Sequence, residues 1–192
     1  MPSNPLTQFV VRRLRYLVLA APIVVGHNLI HEATHYLAAL AFGEGVLEFR
    51  FLSNGLGTSQ VVFASSVAAR TGWHWLVIAW APSVVTTLIG YALYASRTRP
   101  HRNRLVALGL LYAGFFFLLL DPFYLSVLSF LVGGDIRAAS AVGWPLWPVR
   151  AAALLVLILN VCLVRRWIDE HGARYPTIQR RDETPAARRS VP

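Results

Sequence analysis

Four apolar runs, each close to or above the length needed to cross a bilayer, constrain this chain more than any other feature. A helix rises 1.5 Å per residue, so crossing the hydrocarbon core takes about 20 residues. The runs cover residues 16–42, which Gly43 can end, 73–95, 105 to beyond 120, and 146–164. Of the 192 residues 56% are hydrophobic and 14% charged, whereas a soluble domain carries about 25% charged residues. The expected class is an all-α membrane protein, with residues 1–164 forming one polytopic domain of about four transmembrane helices. Cys162 stands alone and excludes a disulfide scaffold.

A formal charge of +9 invites a nucleic-acid reading. Every basic residue is arginine, however, and most lie between or beyond the apolar runs, which is how topology charges are distributed. Arg12, Arg13 and Arg15 precede the first run, Arg97, Arg99, Arg102 and Arg104 follow the second, and seven more lie between Arg165 and Arg189. The opposite side keeps Arg50, Arg70, Arg137 and Arg150. Positive-inside placement therefore predicts cytoplasmic termini and a multi-pass protein with no nucleic-acid partner. A cleaved signal peptide is disfavoured, because the first run far exceeds an h-region of 7 to 15 residues. Residues 165–192 mix Arg, Asp, Glu and Pro without periodicity and read as a basic, disordered cytoplasmic tail. Arginine without lysine suggests a GC-rich bacterial genome, and hence a bacterial plasma membrane.

Two interruptions shape the runs. Asp121-Pro122 breaks the third, since proline donates no backbone bond and clashes with the preceding turn. A kink, or a broken or re-entrant segment, is expected there. Between the first two runs, residues 46–51 alternate, Asn54-Gly55 offers a turn and residues 61–63 form a second short strand, which together read as a β-hairpin.

Ionisable groups inside a span cost about 2.5 to 3.5 kcal/mol on insertion scales, so they mark function by default. The first run holds His31-Glu32-Ala33-Thr34-His35. On a helix, His31 and His35 share one face and can converge on one ion, with Glu32 beside it. In this HExxH pattern a metal lowers the pKa of water and the glutamate takes the proton. His27 extends the same face with Asn28 beside it, either orienting a ligand or substrate or bonding a helix carbonyl. A catalytic zinc needs a third protein ligand and an open position. Asp121 and Asp135 both qualify: Asp121 matches the depth of His31, and Gly133-Gly134 can turn Asp135 back toward it. His74 and His101 read as interfacial, and His171 belongs to the tail. A small transporter, with His27, His31, Glu32, His35 and Asp121 forming a polar path, is the alternative from another class.

Over most of residues 16–164 the chain resembles the site-2 protease family of intramembrane zinc metalloproteases. The resemblance rests on His31-Glu32-Ala33-Thr34-His35 and on the Gly-led stretch Phe42-Gly43-Glu44-Gly45-Val46-Leu47-Glu48-Phe49. It extends to Ala81-Pro82, similar to an Ala-Gly-Pro segment, and to Gly134-Asp135-Ile136-Arg137-Ala138-Ala139 followed by Gly143-Trp144-Pro145, as in a compact bacterial branch. The resemblance implies a zinc metalloendopeptidase that cuts in or near a transmembrane segment of a substrate protein. It implies one Zn²⁺ held by His31, His35 and Asp135, with Glu32 as general base and Asp121 as a supporting or substitute ligand. A non-catalytic member that binds metal or a partner is a further alternative.

Overall fold

The computed structural model describes residues 5–51, 59–99 and 103–175, with side chains from Val18 onward. Asn54-Gly55, His101 and the tail beyond Tyr175 lie outside the described residues. The apolar runs become helices α1 (Pro5–Ala41), α2 (Trp73–Ala95), α3 (Arg104–Phe123) and α6 (Leu146–Arg174). Two short helices, α4 (Ser129–Val132) and α5 (Arg137–Ala141), lie between α3 and α6. Helices α2 and α3 pack together; α1 lies against both, and α6 against α3 and its continuation.

Among the described residues three segments are long and apolar enough to cross a membrane: Trp73–Thr98, Arg104–Val132 and Leu146–Arg174. Between 17% and 33% of their most apolar windows is buried within the bundle, so most of that surface faces outward. The interior, by contrast, holds His27, His31, His35, Thr86, Asp121 and Asn160. Apolar outside and polar inside suits hydrocarbon as solvent and supports a multi-pass membrane protein. The fourth expected span, α1, has 37 residues, more than enough length, but its C-terminal half carries the polar residues of the site.

The interruption at Asp121-Pro122 bends the chain without breaking it. Helix α3 passes through Pro122 into a π-helical turn, Tyr124–Leu128, and then into α4, so the third segment is a kinked helix. Pro122 cannot donate to the carbonyl four residues back, that of Leu118. Asn160 of α6, fully buried, donates Nδ2–H to that oxygen at 2.7 Å, while its own Oδ1 accepts from the Tyr91 hydroxyl at 2.9 Å. A buried carbonyl left without this partner costs about 1–3 kcal/mol.

After α1 the chain turns at Gly43 into an antiparallel pair, β1 (Val46–Arg50) with β2 (Gln60–Phe63), in which Phe49 faces Val61 and Arg50 faces Gln60. Val46 and Phe63 rest on a small core of Ala39, Trp75 and Ile78. The hairpin is thereby fixed to the C-terminal end of α1 and the first turns of α2.

The last helix runs past residue 164, the end of the fourth apolar run. It continues to Arg174 because those residues still pack and pair. Trp167 is buried against Gly114, where any Cβ would overlap the indole ring, and Glu170 binds Arg97 at 3.1 Å and Arg166 at 3.0 Å.

Candidate metal centre

Helical spacing brings the motif residues together. His27, His31 and His35 lie on one buried face of α1, and the ring centroids of His31 and His35 are 5.0 Å apart. Ligand-capable atoms of His31, Glu32 and His35 all lie within 4.8 Å of one another, a cluster able to coordinate a metal ion.

A proline sets the orientation of His35. Pro82 lacks the N–H that would close on Ile78 O, and His35 Nδ1 lies 2.8 Å from that freed oxygen. A carbonyl only accepts, so Nδ1 carries the hydrogen and Nε2 keeps its lone pair for the site. Metal-bound imidazoles are typically held in this way through their second nitrogen.

Asp135 approaches the same point from the far side. Gly133 and Gly134, at φ +70° and +72°, reverse the chain after α4 and return Asp135 to α1. Its Oδ2 lies 3.4 Å from His31 Nε2 and its Oδ1 lies 3.5 Å from His35 Nε2. Two ligands of one tetrahedral zinc, at bonds of about 2.0–2.1 Å, stand about 3.3–3.4 Å apart, close to these two approaches. The backbone of Asp135 is clamped as well: Trp80 Nε1 donates to its carbonyl at 3.2 Å, and its N–H reaches the Tyr124 hydroxyl at 3.4 Å. A Cβ on Gly134 would fall 1.6 Å from that hydroxyl oxygen.

Asp121 lies on the other side of His31. Its Oδ1 is 3.1 Å from His31 Nδ1 and its Oδ2 is 3.3 Å from His27 Nε2, while the Thr86 hydroxyl donates to Oδ2. The two histidine contacts lie within 4 Å without the geometry of a hydrogen bond. The two aspartates thus occupy different nitrogens of one ring. His27 reaches Asp121 and makes no hydrogen bond to a helix carbonyl among the described residues.

The other two α1 groups meet the hairpin. Val61 N–H donates to Glu32 Oε2 at 3.0 Å, and Ser59 N–H donates to Asn28 Oδ1 at 2.7 Å. Glu32 Oε1 has no partner among the described residues. These elements enclose a cleft of about 720 Å³ between α1, β2, α2 and the 120–141 segment, within the usual range for binding sites. Of the remaining histidines, His74 pairs with Glu44 at 3.0 Å and His171 stacks near Tyr175, both away from the cluster.

Thr86, Asn160, Trp80 and Tyr124 were not marked as site residues by the sequence. Polarity inside an apolar run is the signal that singles out Thr86 and Asn160. No such signal distinguishes Trp80 and Tyr124 from interfacial rings. No protein-family model, no curated protein and no solved structure matches this chain, so its reading rests on its own geometry.

Proposed function

We propose that this protein is an intramembrane zinc metallopeptidase of the site-2 protease type, in which His31, His35 and Asp135 hold the metal and Glu32 is the general base. The observation that carries the reading is the pair of Nε2-to-carboxylate approaches, 3.4 and 3.5 Å, beside a glutamate with one oxygen unengaged. When bound, zinc supplies a Lewis acid for the scissile carbonyl and acidifies a water molecule. Glu32, held through Oε2 by Val61 N–H, would take a proton from the attacking water on Oε1 and pass it to the leaving amine. Asp121 faces His31 Nδ1 and His27 Nε2 without joining the metal, and Thr86 and Trp80 hold the two aspartates in place. The substrate in this reading is a transmembrane segment of another protein, entering a bacterial plasma-membrane enzyme whose termini are cytoplasmic.

Glu32 separates this reading from a non-catalytic metal site, which has no use for a base and closes its fourth position with protein. The test is elemental analysis of detergent-purified protein together with cleavage of a reconstituted model transmembrane substrate. Wild type and Glu32→Gln are expected to hold about one zinc per chain and His35→Ala and Asp135→Asn to lose it. Wild type cuts, and Glu32→Gln is at least about 10²-fold slower. A wild type that neither carries nor takes up zinc sinks the proposal and leaves the polar-path reading.

A further inference from the structure

Among the described residues, parts of the 59–70 and 124–141 segments line one face of the cleft, and the carboxylates of the α1–α2 connection and of Asp135 are engaged. Glu44 is held by His74 at 3.0 Å and by the Ser65 hydroxyl, Glu48 by Arg50 at 2.8 Å, and Asp135 by His31 and His35. Of the arginines on that face, Arg150 is committed to the hydroxyl and carbonyl of Ser129. Arg70 and Arg137 remain. Both line the cleft, and neither has a carboxylate within 4 Å among the described residues.

Each of the two guanidinium groups is positioned. Arg70 donates Nε and Nη2 to Ser65 O at 3.1 and 3.0 Å, and its Cζ lies 4.8 Å from the Phe63 ring and 5.3 Å from the Trp75 ring. Its Nη1 makes no bond within the described protein. Half-burial pushes this guanidinium's pKa below its usual value, a sign that a cation is being desolvated with no anion to compensate it. Arg137 lies across Gly133, so close that a Cβ there would come within 2.3 Å of its Nε, and it makes no hydrogen bond or ion pair among the described residues. Two guanidinium groups without a carboxylate within 4 Å make the part of the cleft next to them locally positive.

We infer that Arg70 and Arg137 form an anion-binding subsite, separate from the metal centre, that takes a carboxylate side chain of the substrate segment near the bond to be cut. The inference rests on the peptidase reading for the name of its ligand. A planar guanidinium with free N–H groups binds a carboxylate by charge-assisted hydrogen bonds, which are about twice as strong as neutral ones. An aspartate or glutamate flanking the apolar stretch would be selected over its amide.

The probe is a set of synthetic apolar helices of roughly 20 residues. A single glutamate, or glutamine as its control, is stepped through one flank, and binding to the full-chain Glu32→Gln protein is measured in nonionic detergent. At one register the glutamate peptide is expected to bind about tenfold more tightly than its glutamine control, with a preference that shrinks as salt rises. Arg137→Gln should reduce the preference, Arg70→Lys should keep part of it, and Arg70→Gln with Arg137→Gln should abolish it. Arg137→Gln disturbs no hydrogen bond or ion pair among the described residues, so it carries the test even if Arg70→Gln fails to fold. Equal binding of the paired peptides at every register overturns the inference, as does an undiminished preference in Arg137→Gln. Binding of phosphatidylglycerol that depends on Arg70 while the paired peptides bind alike overturns it too, in favour of a lipid phosphate. Cleavage by zinc-loaded wild type is scored separately: cutting without a glutamate preference removes the subsite alone, and preference without cutting removes the peptidase alone.

Discussion

Asp121 Oδ1 lies 3.1 Å from His31 Nδ1, the ring nitrogen opposite the one that faces Asp135. An imidazole that lends one nitrogen to a metal commonly meets a carboxylate or carbonyl at the other, and losing that partner costs about 10- to 100-fold in metal affinity. Asp121→Asn is therefore expected to weaken zinc binding by that factor while leaving one zinc per chain at saturation. Asp135→Asn is expected to abolish it. Competition against a chelator of known affinity measures both, and equal losses would refute the division of roles.

Pro82 acts on His35 through what it lacks. In Pro82→Ala a backbone N–H becomes available to Ile78 O, and it competes with His35 Nδ1 for the same acceptor. Zinc affinity is expected to fall about tenfold, although the helix itself gains a hydrogen bond. Unchanged affinity in the same chelator competition would mean that the His35 orientation does not depend on this bond.

Gly134 is required twice, by its φ of +72° and by the Tyr124 hydroxyl that occupies the space of a Cβ. Gly134→Ala should displace Asp135 and lower zinc occupancy with little effect on helix content. Tyr124→Phe removes only the acceptor for Asp135 N–H, and a smaller loss is expected. Circular dichroism beside elemental analysis separates the two effects, and a Gly134→Ala protein with full zinc contradicts the argument.

Asn160→Leu tests the kink independently of the metal. It strands Leu118 O beside Pro122 and removes the acceptor of the Tyr91 hydroxyl, so stability should drop by about 1–3 kcal/mol. Zinc stoichiometry should stay at wild-type level, since Asn160 touches no member of the cluster. Unfolding in mixed micelles measures the first quantity and elemental analysis the second.

Membrane character, the helical runs, the hairpin and the pairing of His31 with His35 were legible from sequence because each is local. Residue spacing on a helix decides what shares a face, and the length of an apolar run decides what can cross a bilayer. The relation of the two aspartates to the histidines was not legible. They are separated by a π-helical turn and a two-glycine reversal, neither of which residue spacing reveals. Nor did spacing reveal that the carbonyls freed by Pro82 and Pro122 are taken up by His35 and Asn160, 43 and 42 residues away in the chain. A proline declares locally that an oxygen is left over. Which side chain reaches that oxygen depends on how neighbouring helices pack, and only the tertiary structure decides it.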